Sequence, residues 1–300
     1  MLSILLLLAS AWAKQAVTEE GLRHLQTLDL PWVPRLSERF INMTIDDVKK
    51  MLGTMVMDLE PPQDIEIEEK VIVDLPESYD FREEFTNCNL PVNDQANCGG
   101  CWAFGAVDAF SLRRCRAGLD PVPLQLSQEY IIDCDQNNKG CSGGYLDLAW
   151  TFLQDTGVPT AECYPFTAGD KGVEGKCSKN VCADGSSITM KYKTTGSAKR
   201  IFGISNAMSE LVNGGPLEAS FDVAEDFMYY GSGIYTHRWG YWIGHHAVIL
   251  VGYGTTDSGV DYWIVRNSWG PTWGEDGYFR IMRGRNECNF EAGFFCGPVA

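Results

Sequence analysis

The spacing of apolar residues changes along the chain and predicts a helical part followed by a sheet-rich part. Between residues 75 and about 160 the periodicity is mostly helical, and we expect helices over residues 101–116, 127–133 and 145–155. From about residue 190 short apolar runs predict strands, over residues 247–252, 262–266 and 278–282. This order indicates an α+β fold of two subdomains, about 84–190 and about 191–290, with a cleft between them as the expected site.

A separate N-terminal segment, residues 14–74, precedes this part of the chain. Its apolar residues recur at spacings of three and four and predict a short amphipathic helix, formed by Val48, Met51, Leu52, Met55 and Val56. Residues 61–70 begin with two prolines and continue as an acidic stretch, which is typical of an extended linker. We therefore expect residues 14–74 to be separable from residues 75–300.

The first residues of the chain have the pattern of a secretory signal. Residues 2–8 are a short apolar run, and Ala11-Trp12-Ala13 is a small-x-small cleavage pattern, so residues 1–13 are predicted to be a signal peptide. The run is too short to cross a bilayer, which takes roughly 20 residues. The chain also has 11 cysteines, which suit an oxidising compartment. We expect export into the secretory pathway without membrane insertion.

The formal charge of −16 argues against a nucleic-acid partner, because a phosphate-binding surface needs an excess of basic residues. The acidity has two open interpretations, a solvated surface or adaptation to an acidic vesicle. Composition does not separate them.

The segment around Cys101 is the first candidate for chemistry. Gly99 and Gly100 permit a tight turn, after which Cys101 is expected to begin a helix. The free N–H groups and the positive end of that helix would stabilise a thiolate, which is the reactive form of cysteine. A nucleophile of this kind still needs a base that protonates the leaving amine, and histidine usually serves.

Two adjacent histidines, His245 and His246, are the candidates for that base. His246 is predicted to open the apolar strand, and the His-Ala-Val register favours it over His245. Asn267 follows the next predicted strand, where its amide oxygen would orient the imidazole. Trp269 would cover that hydrogen bond and keep water away.

Cys98 and Cys101 also form a C-x-x-C pair, which leaves two alternatives. A zinc site lacks a second pair or a nearby histidine cluster, and no metal is expected. A redox motif is compatible with the spacing, but it gives Gln95, His246 and Asn267 no role.

Four motifs occur in one order along the chain, at residues 75–80, 101–107, 141–145 and 267–270. Together they resemble the papain family of cysteine peptidases, and within it the cathepsin B-like subgroup. The family signature has Ser or Ala where this chain has Gly100. The resemblance implies a helical left half, a β-barrel-like right half and an inhibitory propeptide at residues 14–74, which would follow the signal peptide.

The resemblance also assigns roles to individual residues. Gln95 and the Cys101 backbone N–H would form the oxyanion hole, and Gly143 and Gly144 would pair with an extended substrate. The pocket for the second residue before the scissile bond would be lined by Tyr145, Leu146, Ser220, Ala247 and Gly293. Cathepsin B has an acidic residue at the position of Gly293, so we expect a preference for apolar over basic residues here.

Ten cysteines remain when Cys101 is set aside as the nucleophile. The resemblance implies four disulfides, Cys88–Cys115, Cys98–Cys141, Cys134–Cys177 and Cys163–Cys182. Cys288–Cys296 is left as a guess.

Residues 164–177 are the main departure from cathepsin B. Cathepsin B has there a longer insertion with adjacent histidines that occludes the cleft, whereas this stretch is short and contains none. We therefore expect an open cleft and a monomeric endopeptidase, acting on proteins and peptides without a cofactor. Its own propeptide would be the other partner. The alternative is a catalytically silent binding protein on the same fold, and the location, acidic vesicle or extracellular, stays open.

Overall fold

The structure, a computed structural model, describes residues 13–56 and 75–299 of the 300-residue chain. The apolar run of the predicted signal peptide and the predicted linker at residues 61–70 lie outside the described residues. In the described ranges, no helix combines the length and the apolar character that a membrane crossing needs.

The N-terminal segment contains helix α1 (Glu19–Gln26), strand β1 (Trp32–Pro34) and helix α2 (Ile45–Met51). Thr44 caps α2 and forms a capping box with Asp47, so the start of the helix is stabilised locally. The helix ends at Met51, earlier than the predicted run through Val56. Leu52 has left the helical conformation, and the residues after it run into the site described below.

The helical half begins with strand β2 (Tyr79–Asp80) and helix α3 (Phe81–Glu84). Helices α4 (Cys101–Arg116), α5 (Gln128–Cys134) and α6 (Leu146–Asp155) follow. Ser127 and Tyr145, predicted as first helical residues, are instead the N-caps of α5 and α6. Helix α4 is buried along nearly all of its length because it packs against both other helices and against the sheet. It therefore forms the central element between the two halves.

The second half contains most of the strands and one helix that the apolar pattern did not predict, α7 (Ile204–Gly214). Its strands are β3 (Lys199–Ile201), β4 (Leu217–Ala224), β5 (Tyr230–Tyr235), β6 (Trp242–Thr255), β7 (Asp261–Arg266), β8 (Tyr278–Met282) and β9 (Phe294–Cys296). The order in the sheet is β1-β5-β8-β7-β6-β4-β9-β3, and β2 pairs with β6. Within the described residues this path is open, so the expected barrel-like half is a sheet that does not close.

Four disulfides are present, and they are the pairs that the resemblance implied: Cys88–Cys115, Cys98–Cys141, Cys134–Cys177 and Cys163–Cys182. The guess that Cys288 pairs with Cys296 is wrong, because both are free and buried. The Cys296 thiol lies 3.7 Å from Glu210 Oε1 of α7, whereas the Cys288 thiol lies 3.6 Å from Glu287 Oε1. Their positions in the fold thus give the two thiols different neighbours.

Candidate active site

Cys101 is the first residue of α4 and is fully buried. The residue before it, Gly100, is closely packed, since a Cβ there would lie 2.8 Å from Ile132 Cδ1 and 3.1 Å from Cys98 Sγ. A Ser or Ala at this position, as in the family signature, would require the Ile132 side chain to move. The disulfide Cys98–Cys141 holds the turn on its other side.

His246 and Asn267 meet through a hydrogen bond of 2.8 Å between Nε2 and Oδ1. Asn267 directly follows β7, as predicted. His246 was predicted to open its strand, but β6 begins earlier, at Trp242, and His246 lies within it opposite Phe221 of β4. The ring of Trp269 lies 4.7 Å from the imidazole between centroids and is buried. The imidazole is therefore held by strand pairing, by an amide and by an aromatic face.

His245, the alternative base, has a different environment. Its Nδ1 lies 2.7 Å from Asp222 Oδ1, and its side chain is about half exposed. The hydrogen bond with Asp222 raises the pKa of His245. His246, and not His245, is therefore the histidine joined to Asn267.

Burial controls the protonation of the thiol and of the imidazole. Burial raises the pKa of Cys101, although a hydrogen bond with Thr54 opposes this. Burial also lowers the pKa of His246 to about 4; the bond with Asn267 opposes the shift and the nearby charge of Arg39 adds to it. Both groups are therefore neutral near pH 7 in this form of the protein, in which the N-terminal segment is in place.

The Gln95 side chain is buried and held at both ends of its amide. Oε1 accepts a hydrogen bond from the Ser268 hydroxyl at 2.7 Å. Nε2 donates to the carbonyl oxygens of Cys98 and Met51, each at 2.8 Å. The donor that the sequence predicted for an oxyanion thus already has a carbonyl acceptor from the N-terminal segment.

Residues 53–55 of the N-terminal segment run directly past Cys101. Thr54 Oγ1 lies 3.3 Å from Cys101 Sγ. The backbone of Gly144 donates to Gly53 O at 2.8 Å and accepts from the Met55 N–H at 2.9 Å, in a parallel pairing. Glycine is required at position 53, because a Cβ there would lie 1.7 Å from Gly99 O.

Gly143 also needs to be glycine. It has a φ of +117°, and a Cβ there would lie 2.7 Å from Gly53 O. The predicted Gly143–Gly144 strip is therefore covered by the N-terminal segment, a contact that the apolar pattern did not reveal.

Other contacts fasten the N-terminal segment across the site. Arg39 Nη1 pairs with Asp94 at 2.6 Å and donates to Trp269 O at 3.1 Å. Lys14 pairs with Glu225 at 2.6 Å. The Phe40 ring packs edge-on against Trp269 at 5.3 Å between centroids. Apolar packing and ion pairs therefore hold the N-terminal segment against the rest of the protein.

Beside the cleft lies a pocket of about 270 Å³, which we call the side pocket. Tyr145, Leu146, Ser220 and Gly293 line it, as expected, but Ala247 does not; Ala247 is buried on β6 opposite Ser220. The sequence analysis did not identify its other lining residues, which are Met55, Val56, Asp147, Ala198, Lys199, Arg200, Ala292 and Phe295.

The stretch at residues 164–177 packs beside the turn before Cys101. The Asn97 N–H donates to Gly169 O at 3.2 Å, and a Cβ on Gly172 would lie 2.7 Å from Asn97 O. A larger cavity of about 500 Å³ separates this region from the N-terminal segment, with Lys50, Gly53 and Lys171 on its walls. Among the described residues, no group of three or more His, Cys, Asp or Glu side chains is placed to hold a metal ion.

Comparison with known proteins agrees with this arrangement. Residues 75–297 match the model of the papain family of cysteine proteases. The chain is 43% identical to cathepsin B-like CP2 of Giardia intestinalis, over 98% of this chain and 99% of the relative. It is 42% identical to cathepsin B-like CP3 of the same organism, again over 98% and 99%. The chain therefore belongs to the papain family of cysteine proteases, and these curated relatives are cathepsin B-like.

A solved structure is similar over nearly the whole described fold. Procathepsin B S9 from Trypanosoma congolense superimposes with a TM-score of 0.84 at 30% identity, covering 95% of this chain and 99% of that one. That structure is a proform, and its N-terminal part is included in the match.

Proposed function

We propose that this peptidase cuts peptide bonds with Cys101 as nucleophile, His246 as general base and acid, and Asn267 as the residue that orients His246. The observation that carries the proposal is the 2.8 Å bond from His246 Nε2 to Asn267 Oδ1 in the same site as Cys101, the first residue of α4. This bond leaves Nδ1 of His246 free, since that atom is buried without a partner. A free ring nitrogen is what proton exchange with the thiol requires.

The reaction follows from these positions. His246 takes the proton of the Cys101 thiol once the N-terminal segment has left, and the resulting thiolate attacks the carbonyl carbon of the scissile bond. The developing oxyanion accepts hydrogen bonds from Gln95 Nε2 and the Cys101 N–H. The His246 imidazolium donates a proton to the leaving amine, which leaves an acyl-enzyme thioester. Water, deprotonated by His246, then hydrolyses the thioester and regenerates the thiol. Trp269 covers the bond from Asn267 to His246 and limits its exchange with water.

Residues 14–74 are proposed to be an inhibitory propeptide. Residues 53–55 occupy the Gly143–Gly144 strip, where an extended substrate would pair, and present the Thr54 hydroxyl to Cys101 Sγ. This contact places the Thr54 hydroxyl against the thiol sulfur and so blocks the approach of a substrate. We propose acid-induced release of the segment and maturation near Asp74–Leu75.

Substrate selection is proposed to depend on the side pocket and on the open cleft. Leu146, Ala292 and Phe295 give the pocket an apolar wall, which supports an apolar residue at the second position before the cut. The short stretch at residues 164–177 supports endopeptidase action. The four disulfides favour the secretory pathway, with either an acidic vesicle or the exterior as the destination.

The test is digestion of a mixed peptide library by acid-treated protein, read by mass spectrometry, with Cys101→Ala as the matched control. Peptides with blocked C-termini should be cut internally by the wild type and not by the variant, whose fold is checked by circular dichroism. Sequencing the new N-terminus should give a start near residues 70–80. Cleavage that persists in Cys101→Ala, or a wild type that cuts nothing after its N-terminal segment has left, would refute the proposal. Predominant release of C-terminal dipeptides would refute the endopeptidase assignment alone.

A further inference from the structure

The guanidinium of Arg200 lies at the side pocket, where the sequence indicated only an apolar lining. Arg200 lies on β3, the last strand of the sheet, opposite Phe295 of β9. Its guanidinium reaches over Gly293, because a Cβ on Gly293 would lie 2.8 Å from Arg200 Nε and 3.4 Å from Nη2. Glycine at position 293 therefore leaves room that the arginine head group occupies.

The guanidinium has no polar partner in the described part of the chain. Its Nε is buried and unpaired, and the side chain forms no ion pair there. Instead its central carbon lies 4.7 Å from the ring centre of Phe202 and 5.4 Å from that of Phe295. The two aromatic faces hold the head group while its N–H donors stay available.

The other charged residues that line the pocket do not neutralise this cation. Asp147 of α6 and Lys199 of β3 both line it and carry opposite charges. Asp147 forms no ion pair with Arg200, although its charge acts on the guanidinium and opposes the lowering of the Arg200 pKa by burial. Glu218 of β4 lies near Asp147, but it is buried, accepts a bond from Trp150, and has a pKa raised well above its usual range by burial. Within the described residues, Arg200, Lys199 and Asp147 all lack an ion-pair partner, so the two cations and one anion leave the pocket with a net positive charge.

We propose that Arg200 makes the side pocket accept a carboxylate-bearing side chain at the second position before the scissile bond. The methylene groups of a glutamate would lie along Leu146 and Phe295, and its carboxylate would accept hydrogen bonds from the Arg200 guanidinium. Apolar side chains use the same wall and remain substrates, whereas lysine and arginine meet a like charge. The inference rests on the proposed function and names the substrate class that the same pocket selects.

The test compares four peptide substrates that differ only at the second position, which is Glu, Gln, Leu or Lys. At about pH 6 a glutamate side chain is ionised, and the wild type should cut the Glu peptide with a kcat/KM about tenfold above that of its Gln isostere. In Arg200→Gln the ratio of Glu to Gln should fall to about one, and cleavage of the Leu peptide reports that the variant is folded. Arg285→Gln removes an exposed arginine elsewhere and should leave the ratio unchanged.

The outcomes distinguish the role of Arg200 from the proposed peptidase activity. Equal rates for Glu and Gln in the wild type, or a ratio that persists in Arg200→Gln, would overturn the role of Arg200 while Cys101-dependent cleavage of the Leu peptide upholds the peptidase. Faster cleavage of the Lys peptide than of the Glu peptide would overturn it as well. Absence of any Cys101-dependent cleavage would overturn both. Because the Leu peptide reports folded enzyme, an Arg200 variant that merely misfolds is recognised by loss of all four activities, and Arg200→Met then serves as the second variant.

Discussion

The carbonyl oxygen of Met51 accepts a hydrogen bond of 2.8 Å from Nε2 of Gln95, the atom proposed to stabilise the oxyanion. Three residues later Thr54 Oγ1 contacts the thiol of Cys101. The N-terminal segment therefore contacts both the proposed oxyanion-hole donor and the proposed nucleophile. Because helix α2 ends at Met51, its last carbonyl is free to make this bond.

Gln95→Ala should lower kcat of the mature enzyme by about 10²- to 10³-fold with little change in KM, because the lost donor acts mainly in the transition state. Steady-state kinetics on a peptide substrate measure this. Ser268→Ala is the matched control, since it keeps the donor and removes only the 2.7 Å bond that orients the amide. It should cost much less, and an unchanged kcat in Gln95→Ala would contradict the assignment.

Cys101 should react slowly with iodoacetamide in the precursor at neutral pH, because burial raises its pKa and the N-terminal segment covers it. Acid treatment that removes the segment should increase the labelling rate by about tenfold or more, since the thiolate then forms beside His246. Mass spectrometry of labelled peptides separates Cys101 from the free thiols of Cys288 and Cys296. Equal rates before and after treatment would refute the blocking role of the segment.

Arg39→Gln should speed activation of the precursor. The change removes an ion pair with Asp94 and bonds to the carbonyl oxygens of Trp269 and Ala96, worth about 1–2 kcal/mol together. Roughly tenfold faster appearance of activity at a given pH is expected. Lys49→Gln is the control, because among the described residues Lys49 pairs only with Asp46 of its own helix. If both variants activate alike, Arg39 is not an anchor.

Acid should destabilise the folded precursor through His246. Its pKa is lowered to about 4 by burial, so the folded precursor takes up fewer protons than the unfolded chain between pH 6.5 and about 4. The free energy of unfolding therefore falls as the pH falls through this window, by up to about 3 kcal/mol at its lower end.

The measurement is the thermal midpoint of Cys101→Ala precursor, which cannot cut itself, between neutral pH and about pH 4. The double variant Cys101→Ala/His246→Gln has the same ion pairs but no imidazole, and it should lose less stability over this range. Parallel pH profiles for the two proteins would show that other groups control the loss of stability in acid.

Glu218→Gln should stabilise the protein at neutral pH. Burial raises the pKa of Glu218 well above its usual range, so the folded protein keeps a proton that the unfolded chain releases above about pH 4.5. The free energy of unfolding therefore falls as the pH rises from about 4.5 toward the pKa of Glu218 in the folded protein. Glutamine is neutral at every pH, so it removes this loss while keeping an acceptor for Trp150 Nε1.

Urea unfolding in the Cys101→Ala background at pH 7 and near pH 4.5 tests this. The variant should be the more stable protein at pH 7 and nearly equal to its parent near pH 4.5. Glu162→Gln, at an exposed position, should change neither value. A lower stability of Glu218→Gln at pH 7 would show that the buried carboxyl is ionised.

Helix α7 shows what the apolar pattern missed in the second half. Ile204, Ala207, Met208 and Leu211 have helical spacing, but the helix follows Gly203 with no side-chain cap, and it lies between strands. The apolar pattern predicted only strands in this half and no element at these residues. The end of α2 at Met51 was also not predicted. The apolar spacing continues to Val56, but the backbone at Gly53 packs closely against Gly99, which the spacing does not reveal.

The sequence by itself determined the helix that begins at Cys101, the strands that carry His246 and precede Asn267, and the family, because these depend on neighbours along the chain. Only the tertiary structure decided which atoms meet across long separations. Arg200 reaches the side pocket because β3 pairs with β9 in one register, and Met51 reaches Gln95 because the N-terminal segment crosses the cleft. The residue types at positions 200 and 51 do not indicate these partners, because strand register and packing create the contacts.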